Sequence, residues 1–233
     1  MSTVAIAIIC KTPTTGRSKT RLSPPLTPQQ CAALSACFIR DVSAAVQKLV
    51  DSDNVAGYAV YTPLGTEDAL RPLLPAGFTL LPQGEGDLGL RMLKAVSDLL
   101  ALGHAGAVLI GADMPTLPPS ILRAAVDAVR RNDCVVHSPA FDGGYTLIGL
   151  TRPHGGLFAE MPWGTDAVYR LTLQRAHEVD LPVVTLPAWY DVDDASSLAM
   201  LTDELRGQRP AFAEPSLIAG EAPATREFLR KLR

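Results

Sequence analysis

A basic excess is missing from this chain. Its 233 residues carry 21 lysines and arginines against 24 acids, a formal net charge of −3, so no general cationic surface exists to hold nucleic acid by neutralising phosphates. Any anion site must therefore be local. Also lacking is an apolar run near the roughly 20 residues of a membrane span. "VAIAIIC" has no basic segment ahead of it and ends at Lys11, which reads as a strand and not as a signal peptide. The four cysteines, Cys10, Cys31, Cys37 and Cys134, form no C-x-x-C pair and have no histidine at ligand spacing, which argues against a disulfide framework or a zinc site and suits a cytoplasmic location. The histidines at 104, 137, 154 and 177 are scattered, and no serine or cysteine stands in a nucleophile elbow. Covalent and histidine-based catalysis have no support.

What is present is enough apolar sequence, 47% of residues, for a sizeable core. "TVAIAIIC" at 3–10 is the continuous apolar run of a strand buried on both faces. After it, apolar positions Leu34, Phe38, Val42, Val46 and Leu49 recur at helical spacing, with Thr27 and Gln30 placed as a capping box. Further strands are expected at 55–62, 78–83 and 182–187, with a buried strand running into a turn at 106–115, and helices at 66–74, 87–103, 120–131, 165–178 and 195–206. This alternation predicts an α/β fold, a mostly parallel sheet between helical layers. "CVVHSPA" and "GYTLIGL" lie too close together for a crossover helix, so an antiparallel strand should interrupt the sheet there. The domain is expected to span 1–207. Residues 208–233 are expected to be a tail laid on the surface or partly disordered.

"KTPTTGRSKTRL" at 11–22 follows the first strand and holds Lys11, Arg17, Lys19 and Arg21 with no acid. It is not a P-loop: aligning Lys19 with the motif lysine puts Pro13 and Ser18 where the glycines must stand. The prolines that follow, at 24, 25 and 28, also prevent a helix from opening directly off the loop. Side chains must supply the charge, and two or three of these cations could converge on a diphosphate. The bland alternative is a solvated turn; a position at the carboxyl end of a central strand favours function.

Three acidic segments follow. "LIGADMP" sets Asp113 just past a buried strand, where it could bind a metal or merely cap the turn. "WYDVDD" places Asp191 and Asp193 two residues apart, on one face of an extended backbone, with Asp194 as the natural helix cap. "FDGGY" carries Asp142 before Gly143 and Gly144, which suits a close approach to a ligand or an ordinary hairpin turn. Gly164 and Thr165 precede a helix, where backbone N–H groups could receive an anionic acceptor or Thr165 could simply cap.

Taken in order, K-x-P-x-x-G-x-x-K-T-R-L, G-x-D-x-P, D-G-G-Y-x-L-I-G and D-V-D, with "QGEGDLGLRM" at 83–92, resemble a bacterial family of glycosyltransferase-like, or selenodomain-associated, transferases. That family is similar in turn to 2-phospho-lactate guanylyltransferases. The resemblance runs from about residue 3 to 205 and implies a nucleotide-diphospho-sugar transferase (GT-A, Rossmann-like) three-layer sandwich. It further implies Asp113 as a metal-binding acid completed by Asp191 and Asp193, with Mg2+ or Mn2+ as the ion. Lys11, Gly16, Lys19 and Arg21 fall in the nucleotide-binding loop, and Asp142, Gly143, Gly144, Tyr145, Gly164 and Thr165 in acceptor-side segments. The sequence departs from the family at Ser197, where a second aspartate is usual, and at Gly164, where serine is usual.

The expected activity is metal-dependent nucleotidyl transfer from a nucleoside triphosphate to a small phosphate- or carboxylate-bearing acceptor. Lys19, Arg21 and Asp113 would carry it; an acceptor already ionised needs no general base. Glycosyl transfer from a nucleotide sugar, with Asp142 as base, is the alternative. A non-catalytic nucleotide-binding protein is the second.

Overall fold

The computed structural model describes residues 3–141 and 143–232. Strand β1 (Val4–Lys11) pairs in parallel with β2 (Val55–Thr62) on one side and β4 (Gly106–Gly111) on the other. β3 (Thr79–Pro82) extends the sheet beyond β2. Beyond β4 lie β6 (Tyr145–Leu150), β5 (Val135–Pro139) and β7 (Val183–Thr185), giving the order β3-β2-β1-β4-β6-β5-β7. β6 runs antiparallel to both of its neighbours, while β5 and β7 pair in parallel. The short link between β5 and β6 imposes this interruption, as expected from the sequence.

Side-chain alternation along β1 divides the interior in two. Val4, Ile6 and Ile8 face one helical layer, with α1 (Pro28–Val50), α4 (Pro119–Arg131) and α7 (Ala195–Glu204). Ala5 and Ala7 face the other, with α3 (Leu88–Ala101), α5 (Gly155–Phe158) and α6 (Val168–Glu178). A short α2 (Glu67–Leu70) completes the β2–β3 connection. The result is the three-layer α/β sandwich.

Local chemistry sets the helix starts. Thr27 and Gln30 form a reciprocal capping box at α1, Asp87 accepts the Leu90 amide at α3, and Asp194 caps α7 through the Ser197 amide, each such cap contributing about 1 kcal/mol. Ser197 also accepts the amides of Asp193 and Asp194, at 3.0 Å each. Its hydroxyl therefore stiffens the segment that carries the late acids.

Residues beyond 207 do more than cover the surface. α8 (Pro223–Lys231) packs against α1, and buried Asp41 of α1 accepts the amides of Ala224 and Thr225 at 2.9 and 2.8 Å. Upstream of α8, the Gly220 amide bonds the Thr116 carbonyl at 2.9 Å. A Cβ on Gly220 would lie 3.2 Å from Leu117 O and 3.3 Å from Pro115 O. The C-terminal segment thus lies tightly across the turn that follows Asp113.

Candidate functional site

Strand order reverses between β1 and β4, and α/β sheets open a crevice at the carboxyl ends of strands at such a point. Ile9 of β1 stands opposite Gly111 of β4, so the basic loop after β1 and Asp113 after β4 emerge side by side. The loop is folded tightly: the Arg17 and Ser18 amides both bond Thr14 O, and Gly16 takes φ +73°, a left-handed conformation that glycine adopts without steric penalty. A turn at Thr20–Leu22 follows, and α1 begins only at Pro28. Only this single 3-10 turn, and no α-helix, opens directly off the loop.

Its four cations are used differently. The Lys11 ammonium donates to Arg17 O at 3.1 Å, and the Arg17 side chain is exposed. Lys19, with φ +49°, turns inward until its side chain is 7% exposed. Its ammonium lies 2.7 Å from Asp113 Oδ2, 2.7 Å from Asp193 Oδ1 and 2.7 Å from Val192 O. Arg21 reaches the other oxygen of Asp193 at 3.1 Å. Burial alone would pull the Lys19 ammonium down, but the charges and hydrogen bonds of Asp113 and Asp193 outweigh it and hold Lys19 above the ordinary lysine range, so it stays a cation. These residues, with Cys10 and Ser35, line a cavity of about 320 Å³. Burial, with the charge of Asp113 adding to it, pushes the Cys10 thiol up to about 12, which leaves it protonated and unreactive.

A second cavity, of about 240 Å³, adjoins the first across Ile9, Ala112 and Asp113. Asp191, Gly144, Tyr145, Gly164 and Thr165 all line it, together with an apolar floor of Leu88, Met92, Met114, Trp163 and Val168. Among the described residues no lysine, arginine or histidine does. Gly143 sits just outside with φ +87°, and a Cβ there would fall 2.2 Å from Asp166 Cα. Its carbonyl accepts the Tyr169 amide at 2.9 Å, so the two expected acceptor segments are packed directly together. Burial raises the Tyr145 hydroxyl well above its usual range. Asp142 lies outside the described residues.

Differences from the sequence expectation are local and physical. α6 begins at Val168 with Ala167 at its cap; Thr165 instead donates to Pro162 O at 2.8 Å, because Trp163 to Thr165 form a turn ahead of the helix. Asp191 and Asp193 do flank buried Val192, yet they border different cavities. Among the described residues Asp113, Asp191 and Asp193 do not form a three-ligand metal cluster; Lys19 bridges Asp113 and Asp193. The donor set still fits magnesium, which takes one or two carboxylates and completes its octahedron with water and substrate phosphate. Asp113 borders both cavities and has Asp191 beside it in the second.

Several lining residues were not singled out by residue type: Leu88, Met92 and Met114 stand as plain apolar positions inside quoted segments and Val168 outside them, and all look like ordinary core positions until the loops converge. Gln83, in the quoted "QGEGDLGLRM", proves structural. It is 4% exposed and donates to Cys10 O and Val60 O at 3.0 and 3.1 Å, tying the end of β1, from which the basic loop leaves, to β2.

The chain is 27% identical over 220 residues to the 2-phospho-L-lactate guanylyltransferase of Methanothermobacter thermautotrophicus, covering 93% of this chain and 86% of that protein. It superposes with a TM-score of 0.83 and 28% identity on the crystal structure of a proposed nucleotide-diphospho-sugar transferase from Desulfovibrio desulfuricans G20, covering 99% and 95% of the two chains. CMP:2-keto-3-deoxy-manno-octonic acid synthetase, solved with CTP, shares the fold at TM-score 0.56 and 10% identity over 88% of this chain and 99% of that one. The fold is that of the nucleotide-diphospho-sugar transferases, and the chain is a transferase. No helix among the described residues is long and apolar enough to cross a membrane. A family model matches residues 45–165, a stretch that includes Asp113 and the acceptor-side segments, and the chain belongs to that family, described as "Uncharacterized protein conserved in bacteria (DUF2064)".

Proposed function

We propose that this protein is a nucleotidyltransferase that takes a nucleoside triphosphate in the cavity of the basic loop and transfers its nucleotidyl group to a small acceptor in the neighbouring cavity. The observation that carries this reading is the meeting of the two cavities at Asp113, one lined by four cations and the other by no cationic side chain among the described residues. The likeness to a guanylyltransferase supports it.

Asp113, with Asp191 or Asp193, would hold Mg2+ or Mn2+. Such an ion, when bound, neutralises triphosphate charge and makes the α-phosphorus more open to attack. The protein's own groups do the rest. Lys11, Arg17 and Arg21 gather the β- and γ-phosphates, and Lys19 follows the charge that develops on the departing pyrophosphate. Tyr145, Trp163 and Met92 hold the body of the acceptor and exclude water. An acceptor phosphate or carboxylate attacks without a general base, in keeping with cavities that no histidine lines among the described residues. Its charge is met by backbone N–H groups around Gly164 and Thr165.

One observation favours a second reading. The acceptor cavity has no cationic side chain among the described residues, which suits a neutral sugar, and glycosyl transfer from a nucleotide sugar would use the same metal acids. A thermal-shift panel separates the two. Each nucleoside triphosphate and nucleotide sugar is tested with magnesium and with chelator, where a ligand at about 100 times its Kd adds about 2.7 kcal/mol of stability, several degrees for a chain of this size. Magnesium-dependent shifts with triphosphates are the expected result. Shifts with nucleotide sugars alone would replace the first reading with the second.

A further inference from the structure

The arrangement of Lys19 reaches beyond a role in holding phosphate. An ammonium has three hydrogens to donate, and three oxygens surround this one at 2.7 Å: Asp113 Oδ2, Asp193 Oδ1 and Val192 O. Nothing in that shell is left over. A magnesium ion binds carboxylate oxygens at 2.0–2.1 Å in a near-ideal octahedron, and on Asp113 it would meet the repulsion of the ammonium already seated 2.7 Å from Oδ2. The charge is balanced as well as the geometry, since Arg21 holds the second oxygen of Asp193 at 3.1 Å.

Lys19 nevertheless lines the same cavity as Lys11, Arg17 and Arg21. Its four-carbon stem is flexible, so a change of rotamer takes the ammonium from the carboxylates to an anion in that cavity. A polyphosphate gives it more negative charge than the two aspartates do.

We propose that Lys19 is an internal counter-ion that keeps Asp113 closed to divalent metal until a polyphosphate draws its ammonium away, so that metal and nucleotide enter the site together. This rests on the reading of Asp113 as the metal acid. Because the coupling is an equilibrium one, it is reciprocal: metal strengthens polyphosphate binding by the same factor. Lys19 thereby ensures that the acids are never bare. Before the nucleotide arrives they are paired with the ammonium, and afterwards with the metal.

The test uses the full chain, freed of metal by chelator and titrated with Mn2+ while free Mn2+ is followed by its paramagnetic resonance signal. Wild type, Lys19→Met and Lys19→Arg are compared with Mn2+ alone and with Mn2+ plus inorganic triphosphate. Lys19→Met is expected to bind Mn2+ alone at least about tenfold more tightly than wild type, since removing one unit charge a few ångströms from the ion is worth that much even with strong screening. Lys19→Arg keeps a cation between the acids and should behave as wild type. Lys19→Gln serves as a second neutral variant, with circular dichroism to confirm that each protein is folded.

Equal binding of Mn2+ alone by wild type and the neutral variants would overturn the counter-ion role while leaving Asp113 as a metal acid. Folded neutral variants that bind no Mn2+ alone, beside a wild type that binds it with triphosphate, would overturn it too. Absence of bound Mn2+ in every protein, with and without triphosphate, would overturn the metal reading and this inference with it.

Discussion

The cavity under the basic loop draws all four of its cations from one stretch, residues 11–21, whereas the cavity across Asp113 is assembled from residues between Ile9 and Asp191. The first is charged and could be found by reading along the chain. The second has an apolar floor and exists only where loops after β4, after β5 and before α6 converge. Charge is legible locally because a solvated cation run needs an explanation. Apolar lining is not, because leucine, methionine and valine have the same reason to be in any core.

Substitutions can set the two cavities against each other. The largest effect is expected at their shared wall. Asp113→Asn should remove magnesium-dependent turnover and take about 3–4 kcal/mol or more from transition-state stabilisation, measured as kcat/KM against magnesium concentration; metal-dependent turnover that persists would move the metal site away from Asp113. Lys19→Ala, on the charged side, should cost about 3 kcal/mol in the same quantity while acceptor KM stays near wild type. An unchanged rate would take Lys19 out of the chemistry.

His137 lies on the acceptor half, fully buried on β5, with its ring edge-on to Tyr169 of α6 at 4.8 Å. Burial pushes its imidazole down to about 4, and neither ring nitrogen has a hydrogen-bond partner. As pH falls the unfolded chain takes up the proton first, near the ordinary histidine value of about 6.5. Stability is therefore full above about 6.5 and is lost as pH falls through about 4, by up to about 3 kcal/mol from this residue. His137→Leu should flatten that part of the urea-midpoint profile; an unchanged acid limb would show that other groups govern it.

The smallest effect is expected from Gly143→Ala. Its Cβ would meet Asp166 Cα, and the strain should cost about 1–3 kcal/mol and loosen the acceptor wall. Triphosphate-induced thermal shifts should survive it. Loss of those shifts would mean that the two cavities are not independent.

Several parts of the structure could be read directly from residues. The helix caps at Thr27 and Asp194, the buried β1 strand and the antiparallel interruption near residue 142 follow from side-chain chemistry over a few positions, and each is present as expected. α6 starts at Val168, later than the expected 165, because a threonine before a helix caps it or merely turns toward it, and only the surrounding turn decides which. The segment after residue 207 offered no periodicity to show that Gly220 would press on the Asp113 turn or that Asp41 would cap α8.

The sequence by itself determined a mostly parallel sheet between helical layers, its antiparallel interruption, and the presence of a cationic loop and carboxylates at strand ends, since strand burial, capping and local charge depend on neighbours in the chain. Tertiary structure alone decided which cation meets which acid. Lys19 and Asp193 are 174 residues apart, and Lys11, Arg17, Lys19 and Arg21 look alike in the sequence. Only Lys19 turns its side chain inward to Asp113 and Asp193, because burying an ammonium is tolerable where paired carboxylates and a carbonyl replace its water.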